Sequence, residues 1–227
     1  MTMIPLSPLA ATGAPSAWPA LCEGLEEVCA EGPRDMASAL VFALARLPQD
    51  DRPVLAAMTT HWLHEQGKPY GPGLSAGLAG AALGAGALIL VSGKTEAEML
   101  WAMEQALRSG AVRGVLGGVE GATLAQSRRL SFAADEGEAY AVLLRRTSGG
   151  LNAARRRWKI TTLASEGGRY DPRAPGRFRL QAELTRSRSE RPGVFRLEQD
   201  DETHRLRLAD RLAGDGLGEH GRTGLAA

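Results

Sequence analysis

Apolar positions along this chain cluster in short runs, separated by stretches with the spacing of amphipathic helices. The runs fall at residues 25–29, 54–58, 87–91, 112–119 and 139–145. Each has the length and the aliphatic composition of a buried strand. Strands that alternate with helices predict a parallel, doubly wound α/β sheet flanked by helices.

Two of the intervening helices carry clear end signals. Thr95 with Glu98, and Thr123 with Gln126, have the spacing of capping boxes, which satisfy the free N–H groups at a helix start. Gly110 stands where the first of these helices should end in a left-handed residue. An earlier helix is predicted after Gly32, with an apolar face made by Leu40, Val41, Leu44 and Leu47.

The pattern changes after residue 150. Alternating runs at residues 157–163, 178–185 and 194–198 predict antiparallel strands that extend one edge of the sheet toward the C-terminus. We therefore predict a flexible N-terminal arm at residues 1–19, which is rich in proline, a core domain at 20–199 and a tail at 200–227. Within the tail, residues 204–212 are either one weak amphipathic helix or disordered.

Composition describes an ordinary globular protein of 227 residues, with 44% hydrophobic and 23% charged residues. Two cysteines, Cys22 and Cys29, give no disulfide framework, and the N-terminus lacks the basic region of a signal peptide.

Residues 73–92 are uncharged but consist mostly of Gly and Ala, which favours a glycine-rich helix and a buried strand over a membrane span. The expected location is the cytoplasm.

Charge is strongly segregated along the chain. Residues 1–139 contain 9 Lys and Arg against 15 Asp and Glu, whereas residues 140–198 contain 14 against 5. The net charge of +1 hides this division. The densest basic stretch consists of Arg145, Arg146, Arg155, Arg156, Arg157 and Lys159, with Trp158 among them.

A degenerate phosphate loop follows the first predicted strand. A functional loop reads G-x-x-x-x-G-K-[ST], in which lysine holds the nucleotide phosphates and the hydroxyl holds Mg²⁺. The corresponding residues here are Gly32, Ala37, Ser38 and Ala39, with Pro33 after the first glycine. Because neither serine nor alanine supplies the missing groups, we predict a nucleotide-hydrolase scaffold that is used for another purpose.

The element order and several short stretches resemble the RecA recombinase core. Gly32-Pro33 matches the pair that opens the RecA phosphate loop, and residues 108–112 resemble the helix that leads into the Walker B strand. A closer resemblance is to the ImuA (inducible mutagenesis A) family, a RecA-like branch found in bacterial damage-tolerance operons. It is carried in order by WAMEQALR at 101–108, SRRL at 127–130, VLLR at 142–145 and AARRRW at 153–158, within a region of roughly 20–200.

The resemblance implies a RecA-like doubly wound mixed sheet and indicates where catalytic groups should stand. The glutamate that orients the attacking water corresponds to about Thr60, and the Walker B aspartate corresponds to Gly118. Glu120 is only a weak substitute for that aspartate. We therefore predict a pseudo-ATPase with no cofactor. No metal site is predicted either, because His61 and His64 are three residues apart and lack a third ligand.

The basic stretch has three interpretations. In RecA-like proteins this region lines the DNA-binding axis, so its arginines would follow phosphates and Trp158 would stack on a base. The same side chains would also suit an acidic protein partner. A third interpretation is that they only solvate a strand edge.

The function implied by the ImuA resemblance is a non-catalytic accessory subunit of an error-prone translesion synthesis complex, or mutasome, in the SOS response to DNA damage. Its expected partners are an inactive Y-family polymerase homologue and an error-prone C-family polymerase, with RecA and single-stranded DNA as further candidates and no membrane. Two alternatives stay open. One is a SulA-type damage-induced inhibitor of cell division, and the other is a weak ATP-binding, DNA-dependent ATPase.

Overall fold

A nine-stranded mixed sheet organises the molecule. A computed structural model describes residues 22, 24–48, 50–70, 88–147, 149–165, 171, 173–200 and 205–209. Its strands are β1 Leu25–Ala30, β2 Val54–Thr59, β3 Leu88–Gly93, β4 Gly114–Gly118, β5 Tyr140–Arg145, β6 Arg156–Leu163, β7 Arg179–Ser187, β8 Gly193–Gln199 and β9 Leu206–Leu208. They lie in the order β3-β2-β4-β5-β1-β6-β7-β8-β9.

Three of the four helices in the described part of the chain lie where the sequence indicates, and the short helix at Thr60–Gln66 was not predicted. The four are α1 Met36–Ala45, α2 Thr60–Gln66, α3 Glu96–Arg108 and α4 Leu124–Glu136, and a 3-10 turn at Pro33–Asp35 precedes α1. Both predicted capping boxes are confirmed, at Thr95 before α3 and at Thr123 before α4. Gly110 has a φ of +64°, as the left-handed position after α3 requires.

The predicted fold class is confirmed, with one correction to the strand directions. Strands β1 to β5 are parallel, and β7 to β9 pair antiparallel as predicted. However, β6 pairs parallel with β1 and antiparallel with β7, so the antiparallel extension begins one strand later than the pattern indicated. The reason is that the connection from β5 crosses one face of the sheet before β6 starts, instead of turning back as a hairpin.

Each face of the sheet has its own hydrophobic core. One contains Val28, Leu116 and Trp158 and is covered by α1 through Phe42. The other contains Leu25 and Leu143 and is covered by α3 and α4. On this second face Gly117 permits a close approach of α3, because a Cβ there would lie 2.3 Å from the Sδ atom of Met103.

Helix α1 buries a different face from the predicted one. Leu44 and Leu47 are buried as expected, but Leu40 and Val41 are only half-buried. Phe42 takes the central place against the sheet, together with Ala39 and Ala43. The apolar stripe of α1 is therefore wider than one core needs, and part of it faces outward.

Part of the predicted tail joins the sheet. Leu206–Leu208 forms β9, with Leu208 opposite Leu197 of β8, so the helix interpretation is wrong for these residues. Pairing with β8 supplies the backbone partners that an isolated helix of this length would lack. The predicted arm at 1–19, residues 73–87 of the uncharged segment and most of the tail lie outside the described residues, and the domain boundaries stay a prediction.

None of the helices in the described part of the chain is both long and apolar enough to cross a membrane.

Candidate functional site

The degenerate phosphate loop is closed by its own aspartate. The N–H of Gly32 donates to Asp35 Oδ2 at 3.0 Å, and the N–H of Thr162 in β6 donates to Asp35 Oδ1 at 2.8 Å. Asp35 is buried, and its own N–H donates to the Gly32 carbonyl. A phosphate loop works by pointing such N–H groups at the ligand. Here a carboxylate of the chain itself accepts from them.

The residues in place of the lysine and the hydroxyl residue are also turned inward. Ser38 is buried, and its Oγ atom lies 2.7 Å from Oγ1 of Thr162. Ala39 is fully buried in the core beneath α1. These contacts attach the start of α1 to β6, so Ser38 and Ala39 have structural roles in this fold.

The position that the resemblance assigns to a catalytic glutamate is a helix start. Thr60 is the first residue of α2, and its hydroxyl donates to the carbonyl of Gly93 at 3.0 Å. The preceding Thr59 caps the helix, since its hydroxyl accepts from the N–H of Trp62 at 3.1 Å. Both threonines therefore hold α2 beside β3.

The position of the missing Walker B aspartate is covered by an indole ring. A Cβ on Gly118 would lie 3.0 Å from the Nε1 atom of Trp62, which is buried. This is closer than side chains normally pack. Trp62 thus fills the space where a carboxylate would extend from the end of β4.

Glu120, the weak substitute, is bound to neighbouring groups. Its Oε1 atom accepts from both the backbone N–H and the Nε of Arg146, at 2.8 and 3.1 Å. Its own N–H donates to Oε1 of Glu96 at 2.8 Å. The carboxylate therefore fixes the segment that follows β5.

The basic stretch spans the end of β5, the connection that crosses the sheet, and the start of β6. The N–H of Ala153 donates to the hydroxyl of Ser127 in α4 at 3.0 Å, and Ala154 is fully buried. The connection is packed between α4 and β1, which brings the flanking arginines to the middle of the sheet.

Glu27 binds the arginines on one face. It is fully buried in β1, and its Oε1 atom accepts from Arg145 at 2.6 Å. Its Oε2 atom accepts from the side-chain amide of Asn152 at 2.7 Å and from Nε of Arg157. Arg186 lies at the edge of this cluster and donates to Asn152 Oδ1 at 3.1 Å; burial and the charge of Arg157 lower its pKa.

Glu26 binds a second set on the opposite face. Arg46 of the segment after α1 donates to both carboxylate oxygens, at 2.7 and 2.9 Å, and Arg156 donates at 3.1 Å. Nε1 of Trp158 donates to the same carboxylate at 2.9 Å. The guanidinium of Arg46 also lies over the Trp158 ring, 4.7 Å from its centroid.

The stacking role predicted for Trp158 is wrong. Its side chain is 0% exposed and packs edge-on against Phe42, with ring centroids 5.2 Å apart. A base cannot reach it without opening the core. The prediction failed because alternation along β6 places this side chain on the face that α1 covers. The sequence pattern does not show which face of a strand is covered by a helix.

The remaining three members of the stretch are partly exposed. Arg146 is 45% exposed and pairs with Glu65 at 2.7 Å, Arg155 is 36% exposed and pairs with Asp135 at 3.3 Å, and Lys159 is 38% exposed and pairs with Glu31. A DNA- or partner-binding role for these residues stays a prediction. Each would have to exchange an internal carboxylate for the ligand.

Sequence reasoning missed the two glutamates that organise these clusters. Glu26 and Glu27 stand in the middle of an apolar run that was interpreted simply as a buried strand. Their positions could have indicated the pairing. Buried carboxylates need cationic partners, and the basic stretch holds the densest group of cations in the sequence.

The histidine pair lies on the outer side of α2. His61 is exposed and lies 3.2 Å from Glu65, which also contacts Arg146. Among the described residues, no group of three potential ligands from His, Cys, Asp and Glu is close enough together to hold a metal ion.

Both thiols are buried beside the glutamates. Burial and the neighbouring Glu27 carboxylate raise the pKa of Cys29 from its ordinary value of 9.0 to about 12. Burial and Glu26 likewise raise the pKa of Cys22. Protonated, buried thiols are poor nucleophiles.

Comparison with solved structures shows the RecA-like fold. The RadB recombinase aligns with a TM-score of 0.56 and 12% sequence identity, over 84% of this chain and 93% of RadB. SulA from Pseudomonas aeruginosa aligns with a TM-score of 0.39 and 23% identity, over 55% of this chain and 98% of SulA. No protein-family model and no curated protein matches the chain.

Proposed function

We propose that this protein is a non-catalytic, RecA-like accessory subunit of a translesion DNA synthesis complex. In this role it docks onto polymerase-like partners after DNA damage and does not turn over nucleotide. The observation that carries the non-catalytic part is the Asp35 carboxylate, which accepts from the N–H groups of Gly32 and Thr162. An incoming phosphate would have to displace this carboxylate and face its negative charge.

The positions of the other catalytic groups support the same proposal. Thr60 is bound to Gly93, Trp62 covers Gly118, and Glu120 is bound by Arg146. Hydrolysis needs a water-orienting group, a metal-binding carboxylate and phosphate-binding donors together. All three positions are used here for internal contacts.

The choice of a translesion partner rests on the resemblance to the ImuA family. Contacts link the four stretches that carry it. Glu104 in the first pairs with Arg129 in the second at 2.6 Å, and Ser127 accepts from the N–H of Ala153 in the fourth at 3.0 Å. Arg145 in the third and Arg157 in the fourth share Glu27. The resemblance thus concerns one contiguous packed unit, which supports its use as a guide.

Nucleotide chemistry is tested by calorimetric titration with Mg-ATP and by phosphate release with and without single-stranded DNA. We expect no binding in the micromolar range and no release. Steady turnover that disappears in Glu120→Gln would contradict the non-catalytic proposal and favour the ATPase alternative.

The partner is tested by co-expression with the inactive Y-family homologue and the C-family polymerase of the same cell, followed by affinity purification. We expect both to be recovered, and their genes to lie beside this one. Recovery of the division GTPase alone would instead favour the SulA-type alternative.

A further inference from the structure

A cleft of about 380 Å³ opens between the start of α1 and the end of α2. These helices follow β1 and β2, so the cleft lies at the carboxyl ends of two parallel strands. Open α/β sheets bind their ligands at this edge. The closed phosphate loop forms one wall of the cleft, because Arg34 and Met36 line it.

The lining of the cleft is mainly apolar. Helix α1 contributes Leu40 and Val41, which are both half-buried; Leu40 also packs against the edge of the core beneath α1. The opposite wall contains Trp62 and ends at Tyr70, whose side chain is 72% exposed. An exposed aromatic residue beside a partly buried aliphatic surface is typical of protein-docking sites.

The charged groups at the rim are cations. Arg34 and Lys68 line the cleft, both are exposed, and neither has an ion-pair partner among the described residues. The nearest carboxylates in the sequence have other partners: Asp35 is turned into the loop, Glu31 pairs with Lys159, and Glu65 pairs with Arg146. The rim therefore attracts a negatively charged ligand.

A nucleotide suits this cleft poorly despite its position. Its phosphates would need backbone donors as well as side-chain cations. The N–H of Gly32 already donates to Asp35, and the Ser38 hydroxyl contacts Thr162. A peptide does not need such backbone donors. Its apolar side chains would fill the cleft, and its carboxylates would pair with Arg34 and Lys68.

We propose that this cleft binds a short segment of a partner protein in which aromatic or aliphatic side chains stand next to Asp or Glu. The inference rests on the proposed docking role and adds the surface and the chemistry of the partner. It places that surface between α1 and α2, on the side of the sheet opposite α4.

The experiment measures binding of a fluorescent peptide containing phenylalanine, leucine and glutamate to the full chain by anisotropy. The probe for location is ¹⁹F NMR of protein labelled with 5-fluorotryptophan. We expect saturable binding and a shift of the Trp62 signal, with no shift of Trp101, which is exposed on α3. A peptide with Gln in place of Glu should bind more weakly.

Matched variants separate the cleft from general electrostatic attraction. Arg34→Glu, which changes the charge as much as Arg128→Glu does, should weaken binding by roughly threefold, and Arg34→Glu combined with Lys68→Glu by roughly tenfold. Tyr70→Ser should also weaken it by about tenfold, as loss of an aromatic anchor does. Arg128→Glu should leave it unchanged, because Arg128 is an exposed arginine on α4, across the sheet.

Several outcomes would overturn the inference. They are absence of peptide binding, an equal loss in Arg128→Glu, or a Trp62 shift produced by Mg-ADP and not by the peptide. Recovery of polymerase partners by Arg34→Glu/Lys68→Glu at the wild-type level would also reject the cleft, while the docking role itself would stand. Peptide binding without recovery of those partners would instead reject the translesion assignment and leave the cleft.

Discussion

Glu26 and Glu27 are consecutive residues of β1, yet their buried carboxylates lie on opposite faces of the sheet and each binds two arginines. Successive side chains of a strand point to opposite faces, so this one dipeptide neutralises cations in both cores. Most of the basic stretch is thereby connected to the central strand. This internal pairing explains why a segment with a large positive charge need not be a binding surface.

Loss of Glu26 should be far more damaging than loss of an exposed ion pair. Glu26→Ala leaves Arg46 and Arg156 buried without this carboxylate, and we expect the free energy of unfolding to fall by about 3–5 kcal/mol. Glu31→Ala, which breaks the partly exposed pair with Lys159, should cost less than about 1 kcal/mol. Urea denaturation of both variants measures the difference. Similar losses would show that the buried cluster contributes no more than a surface pair.

The neighbouring arginines Arg155 and Arg156 should not behave alike. Arg156→Ala removes a buried partner of Glu26, so we expect a loss of about 3–5 kcal/mol of unfolding free energy. Arg155→Ala breaks a partly exposed pair with Asp135 and should cost less than about 1 kcal/mol.

DNA binding by the same arginines makes a different prediction. If each contacts a phosphate, each substitution to Ala should flatten the salt dependence of single-strand binding by about 0.7 in log–log slope. Stability would then change little. Thermal denaturation and a salt titration of the two single variants distinguish these cases. A salt dependence flattened equally in both variants, with unchanged stability, would contradict the structural role.

Gly118 should accept a side chain poorly while Trp62 is in place, because an added Cβ would lie 3.0 Å from the indole. We expect Gly118→Ala to lower the unfolding free energy by about 1–3 kcal/mol, because the new methyl group would overlap the indole. Gly149→Ala is the control, since a Cβ there would meet nothing within 4 Å. The cost of Gly118→Ala should be smaller when it is measured in a Trp62→Leu background by chemical denaturation, because the indole is then absent. A neutral Gly118→Ala would mean that the indole is free to move away.

Features that depend on a few consecutive residues were predictable from the sequence. The capping boxes at Thr95 and Thr123 and the left-handed Gly110 depend only on local chemistry, and all three are confirmed. The strands of the parallel core were also found, because a buried strand is a run of mostly apolar residues. The burial predicted for β3 was wrong: this strand is the first in the sheet order, and Ile89 and Leu90 are 42% and 39% exposed. The degenerate loop could be recognised, but the carboxylate that closes it could not, since its partner Thr162 lies far along the chain.

What failed depended on contacts distant in sequence. Trp158 stands in a stretch with six basic residues, yet it is buried because β6 lies beside β1 and faces α1. The parallel direction of β6 follows from a crossover connection after β5 that contains no helix. The sequence of that connection therefore has no helical periodicity from which the crossover could be predicted. Charge segregation was real, but Glu27 and Arg157 are 130 residues apart, and composition alone cannot pair them.

The Cys29 thiol should make the fold less stable in alkali. Its pKa is raised to about 12 by burial and by Glu27, above the ordinary value of 9.0 that it regains on unfolding. Below pH 9 its contribution to stability is fully present, and it is lost as the pH rises from 9 toward 12, because the unfolded chain then releases a proton that the folded chain keeps. The loss should be about 1.4 kcal/mol per pH unit.

The measurement is the difference in unfolding free energy between wild type and Cys29→Ala, taken by urea denaturation from pH 8 to pH 11 under reducing conditions. Lysines and tyrosines titrate in both proteins, so their effects cancel in the difference. At pH 8 wild type should be the more stable protein, because the substitution leaves a small void in the core. Above pH 9 its advantage should shrink, and then reverse, by about 1.4 kcal/mol per pH unit. Two parallel curves would mean that Cys29 is accessible to solvent and ionises in the folded state as it does in the unfolded chain.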